Sequence, residues 1–264
     1  MAAGGTGTRS PVIPVPRSAG DDGPDAAPGT GPDQEPSSRA AGSAAAAGYE
    51  RVLHQLVRRE LRMLAELAAW APADEAPRTA VLNRHADLVG RVLLHHHAAE
   101  REAVWPALLR NLPADDVDDV RAAIDDSTAR CARIDSMLRD VATAGRQWAV
   151  AGTVAARDAF ATACRALADA VDAQTDDEER RLLPLLTRYL RPDDWATIAH
   201  SSRCRLTAHE QMLVLGLALE DASADDRARL LGGLPRATRA AWRIRGARSY
   251  RAAVVRLRGA PPAA

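Results

Sequence analysis

Apolar residues recur three and four positions apart from Tyr49 onward, the spacing that lines one face of a helix; Val57, Leu61 and Leu64 stand on the first such line. The pattern predicts helix one over about 49–70, stopped by Ala71-Pro72, and helix two over about 78–110, ending at Asn111-Leu112-Pro113. Helix three is expected from Ala114 to near Gly145, with Pro113 suited to its entry and Asp115 and Asp116 favouring the positive end of the helix dipole. Helix four is expected over about 153–190, stopped at Arg191-Pro192. Long helices with short connections and inward apolar stripes predict an all-α fold: an antiparallel up-and-down four-helix bundle over residues 48–191.

A C-terminal helical extension is expected over 192–258, with helices near 193–221, 223–231 and 235–258, punctuated by Gly232-Gly233 and Leu234-Pro235. The last has an apolar stripe at Ala240, Ile244, Ala247, Val254 and Leu257 and eight arginines between Arg236 and Arg258. Such a helix either packs on the bundle with its arginines solvated or offers them to a protein partner. Residues 1–47 are rich in Gly, Pro, Ser, Asp and Ala, and are expected to be a disordered tail, as are 259–264.

Composition narrows the function. Hydrophobic residues make up 47% but aromatics only 3%, so the core is expected from Leu, Val and Ala, which suits helices. A formal net charge of zero, with every basic residue an arginine, argues against attraction of the whole chain to nucleic acid or membrane. Cys131, Cys164 and Cys204 show no paired spacing, which points to a reducing compartment. No apolar run is long enough to span a membrane, and the N-terminus lacks the charged start and apolar stretch of a secretory signal. The expected location is the cytoplasm.

The chain also repeats itself. His96 lies four before Glu100 and ten before Pro106; Gln174 lies four before Glu178 and ten before Pro184. His54 stands 42 residues before His96, and Cys131 stands 43 before Gln174. His54 has Val57, Leu61 and Leu64 at +3, +7 and +10, where Cys131 has Ile134, Leu138 and Val141. This is a duplicated helical hairpin with a period of 77–78 residues.

Helical spacing puts His96 and Glu100 on one face, and the apolar lines around His54 and Glu178 turn those two toward the same core. Two imidazoles and two carboxylates would then share a buried layer. Burying two carboxylates together is costly unless a cation compensates, and a divalent metal does so. Such a donor set suits Fe(II), Mn(II) or Zn(II). His97, three before Glu100, is the substitute ligand if the register slips by one.

The phrases His96-His97-Ala98-Ala99-Glu100 with Trp105-Pro106, and Glu178-Glu179-Arg180 with Leu182-Leu183-Pro184, resemble the hemerythrin-like (HHE cation-binding) family over roughly residues 49–190. The resemblance implies a four-helix bundle holding two iron ions bridged by carboxylates, used for oxygen binding, storage or sensing. His54, His96, Glu100 and Glu178 match family ligand positions; Cys131 and Gln174 stand where two further histidines are expected. One metal position therefore keeps its imidazoles and the other has lost both. Cys131 is a substitute thiolate ligand or a small hydrophobe, and Gln174 a weak amide ligand or a polar residue satisfied by a neighbouring Glu.

The first reading is a cytoplasmic protein with a reduced site, one iron ion rather than two on His54, His96, Glu100 and Glu178, that handles or senses O₂, peroxide or other reactive species; manganese and zinc are the alternative metals. No catalytic residue is assigned. The second reading is a metal-free scaffold that contacts a partner through the Arg-rich C-terminal helix or the Pro-rich N-terminal tail. The third is a metal-dependent oxidoreductase.

Overall fold

The computed structural model describes residues 35–201 and 204–259, without the side chains of 35–45 and 199–201. The expected tails, apart from 35–47 and Gly259, lie outside the described residues. The bundle consists of α1 (Glu35–Trp70), α2 (Ala76–Ala99), α4 (Val117–Ala151) and α5 (Val154–Arg181). Two short helices, α3 (Trp105–Asn111) and α6 (Leu183–Tyr189), continue the second helix of each hairpin. The bundle helices form a ring in which α1 meets α2 and α5, and α4 meets the same two. Cross-contacts fix the directions: Glu60 meets His85 while His54 lies beside His96, and Arg130 meets Gln174 while Trp148 stacks near Phe160. Neighbours therefore run antiparallel.

Helix boundaries depart from the sequence expectation in four places. Helix α1 starts at Glu35, not near residue 49, so the stretch 35–47 is helical instead of disordered. Its alanines favour a helix, and Ala46 and Ala47 are buried. Helix α4 runs through Gly145 to Ala151 and stops at Gly152, whose φ of +59° is the left-handed conformation that ends helices cheaply. The expected helix over 78–110 contains a π-turn, Glu100–Val104, before α3. Pro106 has no N–H to give the carbonyl of Glu102, and the Trp105 N–H bonds Glu100 instead, widening the turn. In the second hairpin the helix breaks at Leu182, two residues before Pro184.

The extension comprises α7 (Pro192–Ser201), α8 (Ala208–Glu220), α9 (Ala224–Gly232), α10 (Arg236–Ala241) and α11 (Ala247–Arg258). The single helix expected over 193–221 is thus two, the second begun by a capping box in which Thr207 and Glu210 satisfy each other's backbone. The stripe predicted on the last helix holds at Val254 and Leu257 and fails at Ala240, which is exposed, and at Ile244, which is 67% exposed. A π-turn over Trp242–Gly246 rotates the register there and brings Tyr250 inward. Helix α11 packs on α8 and α2, and α8 packs on α1. Among the eight arginines, Arg258 turns inward to Glu220 and Glu60.

The core falls into two apolar clusters. One surrounds Val57, Leu61, Leu64, Val92, Ile134 and Val171; the other gathers Trp105, Leu108, Ile124, Leu182 and Leu186. A polar layer lies between them.

Candidate metal centre

Every element of the bundle contributes to that layer. Helix α1 brings Glu50 and His54, one turn apart; α2 brings His96; the π-turn opens on Glu100; α4 brings Ser127 and Cys131; and α5 brings Gln174 and Glu178. All eight are buried, with exposures of 4% or less. Apolar residues above and below keep water out of the layer.

Glu50, His54, His96 and Glu100 each offer one donor atom, and these four atoms lie within 4.8 Å of one another. His96 Nδ1 is 3.3 Å from Glu50 Oε2, and its Nε2 is 3.4 Å from Glu100 Oε1. The His54 and His96 rings meet edge-on at 5.3 Å. His54 is aimed by Glu179, whose Oε1 is 3.0 Å from Nδ1, leaving Nε2 for the cluster. Metal-binding imidazoles are oriented by carboxylates in this way. Arg58 in turn holds Glu179 at 3.3 Å.

The electrostatics show what the set lacks. Burial, with Glu178 adding to it against the pull of His54, pushes Glu50 up to about 7. Burial, then Glu178 and Glu50, push Glu100 well above the carboxylate range. Burial and the imidazole of His54 hold His96 well below its ordinary value. Protein groups alone leave three donors driven toward their neutral forms. Glu50 Oε2, His54 Nε2 and Glu100 Oε2 are buried without a hydrogen-bond partner. Orphaned buried polar atoms are costly, and a divalent cation among them supplies the missing partner. The residues fit a metal ion.

Glu100 also belongs to a second group, with Cys131 and Glu178. That side is furnished differently. Ser127 Oγ and Gln174 Nε2 both donate to Glu178 Oε1, at 2.5 and 2.7 Å, while Arg130 Nε donates to Gln174 Oε1 at 2.6 Å. Gln174 is therefore the amide satisfied by a neighbouring Glu, as its place in the sequence allowed. Burial and the nearby Glu100 and Glu178 carboxylates raise the Cys131 thiol far above its usual range, so without a cation it stays protonated.

The chain thus carries a His96/Glu100 pair before Trp105-Pro106, a Gln174/Glu178 pair before Leu183-Pro184, and a buried polar layer between the two hairpins. The hemerythrin HHE cation-binding domain model matches residues 51–186, just over half the chain. The chain belongs to the hemerythrin HHE cation-binding family. No curated protein and no solved structure matches it.

Within the hemerythrin-like domain the four expected ligands divide. His54, His96 and Glu100 come together as anticipated, whereas Glu178 groups with Glu100 and Cys131, reaching His54 Nε2 only at 3.6 Å. His97 stands outside the four-donor set, with its Nδ1 2.6 Å from Asp135 on α4. Sequence reasoning missed Glu50 and Glu179. Glu50 left a readable signal, one turn before His54 on the same helix face. Glu179 left none, because it approaches the far side of His54 from the opposite hairpin.

Proposed function

We propose that the hemerythrin-like domain holds a single iron ion on Glu50, His54, His96 and Glu100 and handles or senses dioxygen, peroxide or related reactive species there. The observation that carries the reading is the buried four-donor set, with Glu50 Oε2, His54 Nε2 and Glu100 Oε2 lacking hydrogen-bond partners. Two imidazoles with carboxylates suit iron, with manganese and zinc the competing occupants. Iron held there supplies redox chemistry toward a small oxygen species. The protein's own groups bind the ion, aim His54 through Glu179 and exclude water with Val57, Val92, Trp105 and Leu108.

One ion is favoured over two by what surrounds Glu178. Its Oε1 already accepts from Ser127 and Gln174, and Arg130 sits behind Gln174. The second half-site has hydrogen-bond donors where the family pattern has imidazoles. Glu178 then serves as a buried neighbour of His54 and Glu100 more than as a principal ligand. A reducing, cytoplasmic setting fits the three free, buried cysteines.

Plasma mass spectrometry on tag-free protein purified without oxygen tests the reading. About one iron per chain is expected. Two per chain would overturn the single-ion assignment, and none after reconstitution with iron, manganese or zinc would leave a metal-free scaffold. Zinc or manganese in preference to iron would overturn the metal identity.

A further inference from the structure

A cleft of about 310 Å³ opens between α2 and α4, away from the metal layer. It exists because the facing helices carry small residues: Ala86 and Gly90 on α2, one turn apart, oppose Ala142 on α4. Leu61 and Leu64 from α1, with Phe160 and Leu167 from α5, make its floor. Leu94, 40% exposed, stands at one lip.

The mouth is unevenly charged. On the α2 lip Arg91 is outweighed by two carboxylates, 3.0 Å from Asp87 and 2.5 Å from Glu210, so the positive charge of the mouth lies on the other lip. On the α4 lip Arg139 and Arg146 are seven residues apart and so share a helix face. Among the described residues neither has a carboxylate at ion-pair distance; Arg146 bonds only the Thr143 hydroxyl, at 3.0 Å. An apolar cleft of this size with a few polar groups at one edge has the make-up of a small-molecule site.

We propose that this cleft binds a small amphipathic carboxylate, its apolar body lying over Leu138 and Phe160 and its carboxylate paired with Arg139 and Arg146. The charge at the mouth selects an anion, and the apolar floor selects an unbranched or aromatic body over a sugar or nucleotide. The site is independent of the metal. Leu61 follows His54 by seven residues, Leu138 follows Cys131 by seven, and Leu167 precedes Gln174 by seven, placing the floor about 10 Å along the bundle from the ligands. Val57, Val92, Ile134 and Val171 are buried in the layer between.

Calorimetric titration of the full chain with decanoate is the test. One decanoate is expected to bind per chain, equally in metal-loaded and chelated protein, so the result does not depend on whether iron is the resident metal. Each methylene removed from the chain should weaken binding about fourfold, the worth of one buried CH₂. Decanol should bind more weakly than decanoate, and Arg139→Ala with Arg146→Ala should abolish that difference without weakening decanol. Gly90→Leu should remove binding: a Cβ at Gly90 meets only Leu138 Cδ2, at 3.4 Å, so a larger side chain enters the cleft. Ala142→Leu closes it from the other wall should the first variant fail to fold, as judged by circular dichroism. Absence of decanoate binding, binding unchanged by both filling variants, or equal affinity for decanol would overturn the proposal. So would a dimer in analytical ultracentrifugation that Gly90→Leu dissociates, since the occupant would then be a second copy.

Discussion

Glu50 Oε2 lies 3.3 Å from His96 Nδ1, joining the first two helices of the bundle through side chains that are each only 3% exposed. The family match begins at residue 51, one position after Glu50. The carboxylate thus stands just outside the matched range, on the side of the site that kept its imidazoles. Glu50→Gln should lower iron content sharply, while Glu178→Gln should leave most of it in place. Iron per chain measured on both variants decides between them. Equal loss from the two would return Glu178 to the principal ligand set.

Glu179 contributes differently, because it touches His54 and not the cluster. Its carboxyl is held below its ordinary value: burial opposes this, but the hydrogen bond to His54 and the His54 and Arg58 charges outweigh it. Glu179→Gln should weaken metal affinity about 10–100-fold, the usual cost of losing a carboxylate behind a ligating imidazole. The melting temperature of the metal-free protein should move much less, since Glu179 is partly exposed and a glutamine oxygen can still accept from His54 Nδ1. Unchanged affinity in competition with a chelator would mean that His54 is oriented by packing alone.

The bundle was legible because its evidence is periodic. Apolar residues three and four apart reveal helices one by one, and the matched registers of His54 with Cys131 and His96 with Gln174 reveal the hairpin pair. Interruptions are not periodic. Gly145 reads as a stop, yet it is inside α4 because Asn83 and Phe160 press so close that a Cβ would lie 2.5 Å from Asn83 Oδ1. The π-turn at Glu100 is set by the missing N–H of Pro106, which adds a residue where the 3.6-residue pattern expects none. Glu50 was legible in principle. Asp135, which claims His97, was not, because nothing local says that α4 will present it there.

A second buried charge network ties the extension to the bundle and should make their docking sensitive to acid. Glu60, fully buried, meets His85 at 2.8 Å and Arg258 at 2.8 Å; Arg258 also bonds Glu220, which accepts from the Tyr250 hydroxyl at 2.6 Å. Burial would raise Glu220, but the hydrogen bonds from Arg258 and Tyr250 prevail and bring it from 4.5 down to about 2. A carboxylate whose value falls on folding stabilises fully above its unfolded value and loses that contribution as pH drops through the folded one. Glu60 is shifted the same way. Helices α8 and α11 should therefore loosen between about pH 4.5 and pH 2, seen as a change in Trp242 fluorescence in advance of the loss of bundle helicity. Arg258→Ala should cost about 1–3 kcal/mol at neutral pH, because Glu60 keeps Arg59 and His85, and Glu220 keeps Arg59 and Tyr250. A single acid transition, unmoved by Arg258→Ala, would show that the network does not govern docking.

Packing of α8 on α11 relies on Gly216. A Cβ there would lie 2.2 Å from Tyr250 Cδ2, and Tyr250 is buried and held by its bond to Glu220. Tyr250 can make room only by giving up that bond. Gly216→Ala should therefore destabilise by about 1–3 kcal/mol, the range for overpacking a tight contact. The same change in a Tyr250→Ala background should stabilise instead, by up to about 1 kcal/mol, since alanine outranks glycine inside a helix. The two substitutions must be non-additive if they share one contact. Denaturant melts of the wild type, both single variants and the double variant measure the coupling. Additive costs would show that Gly216 is required for a reason other than Tyr250.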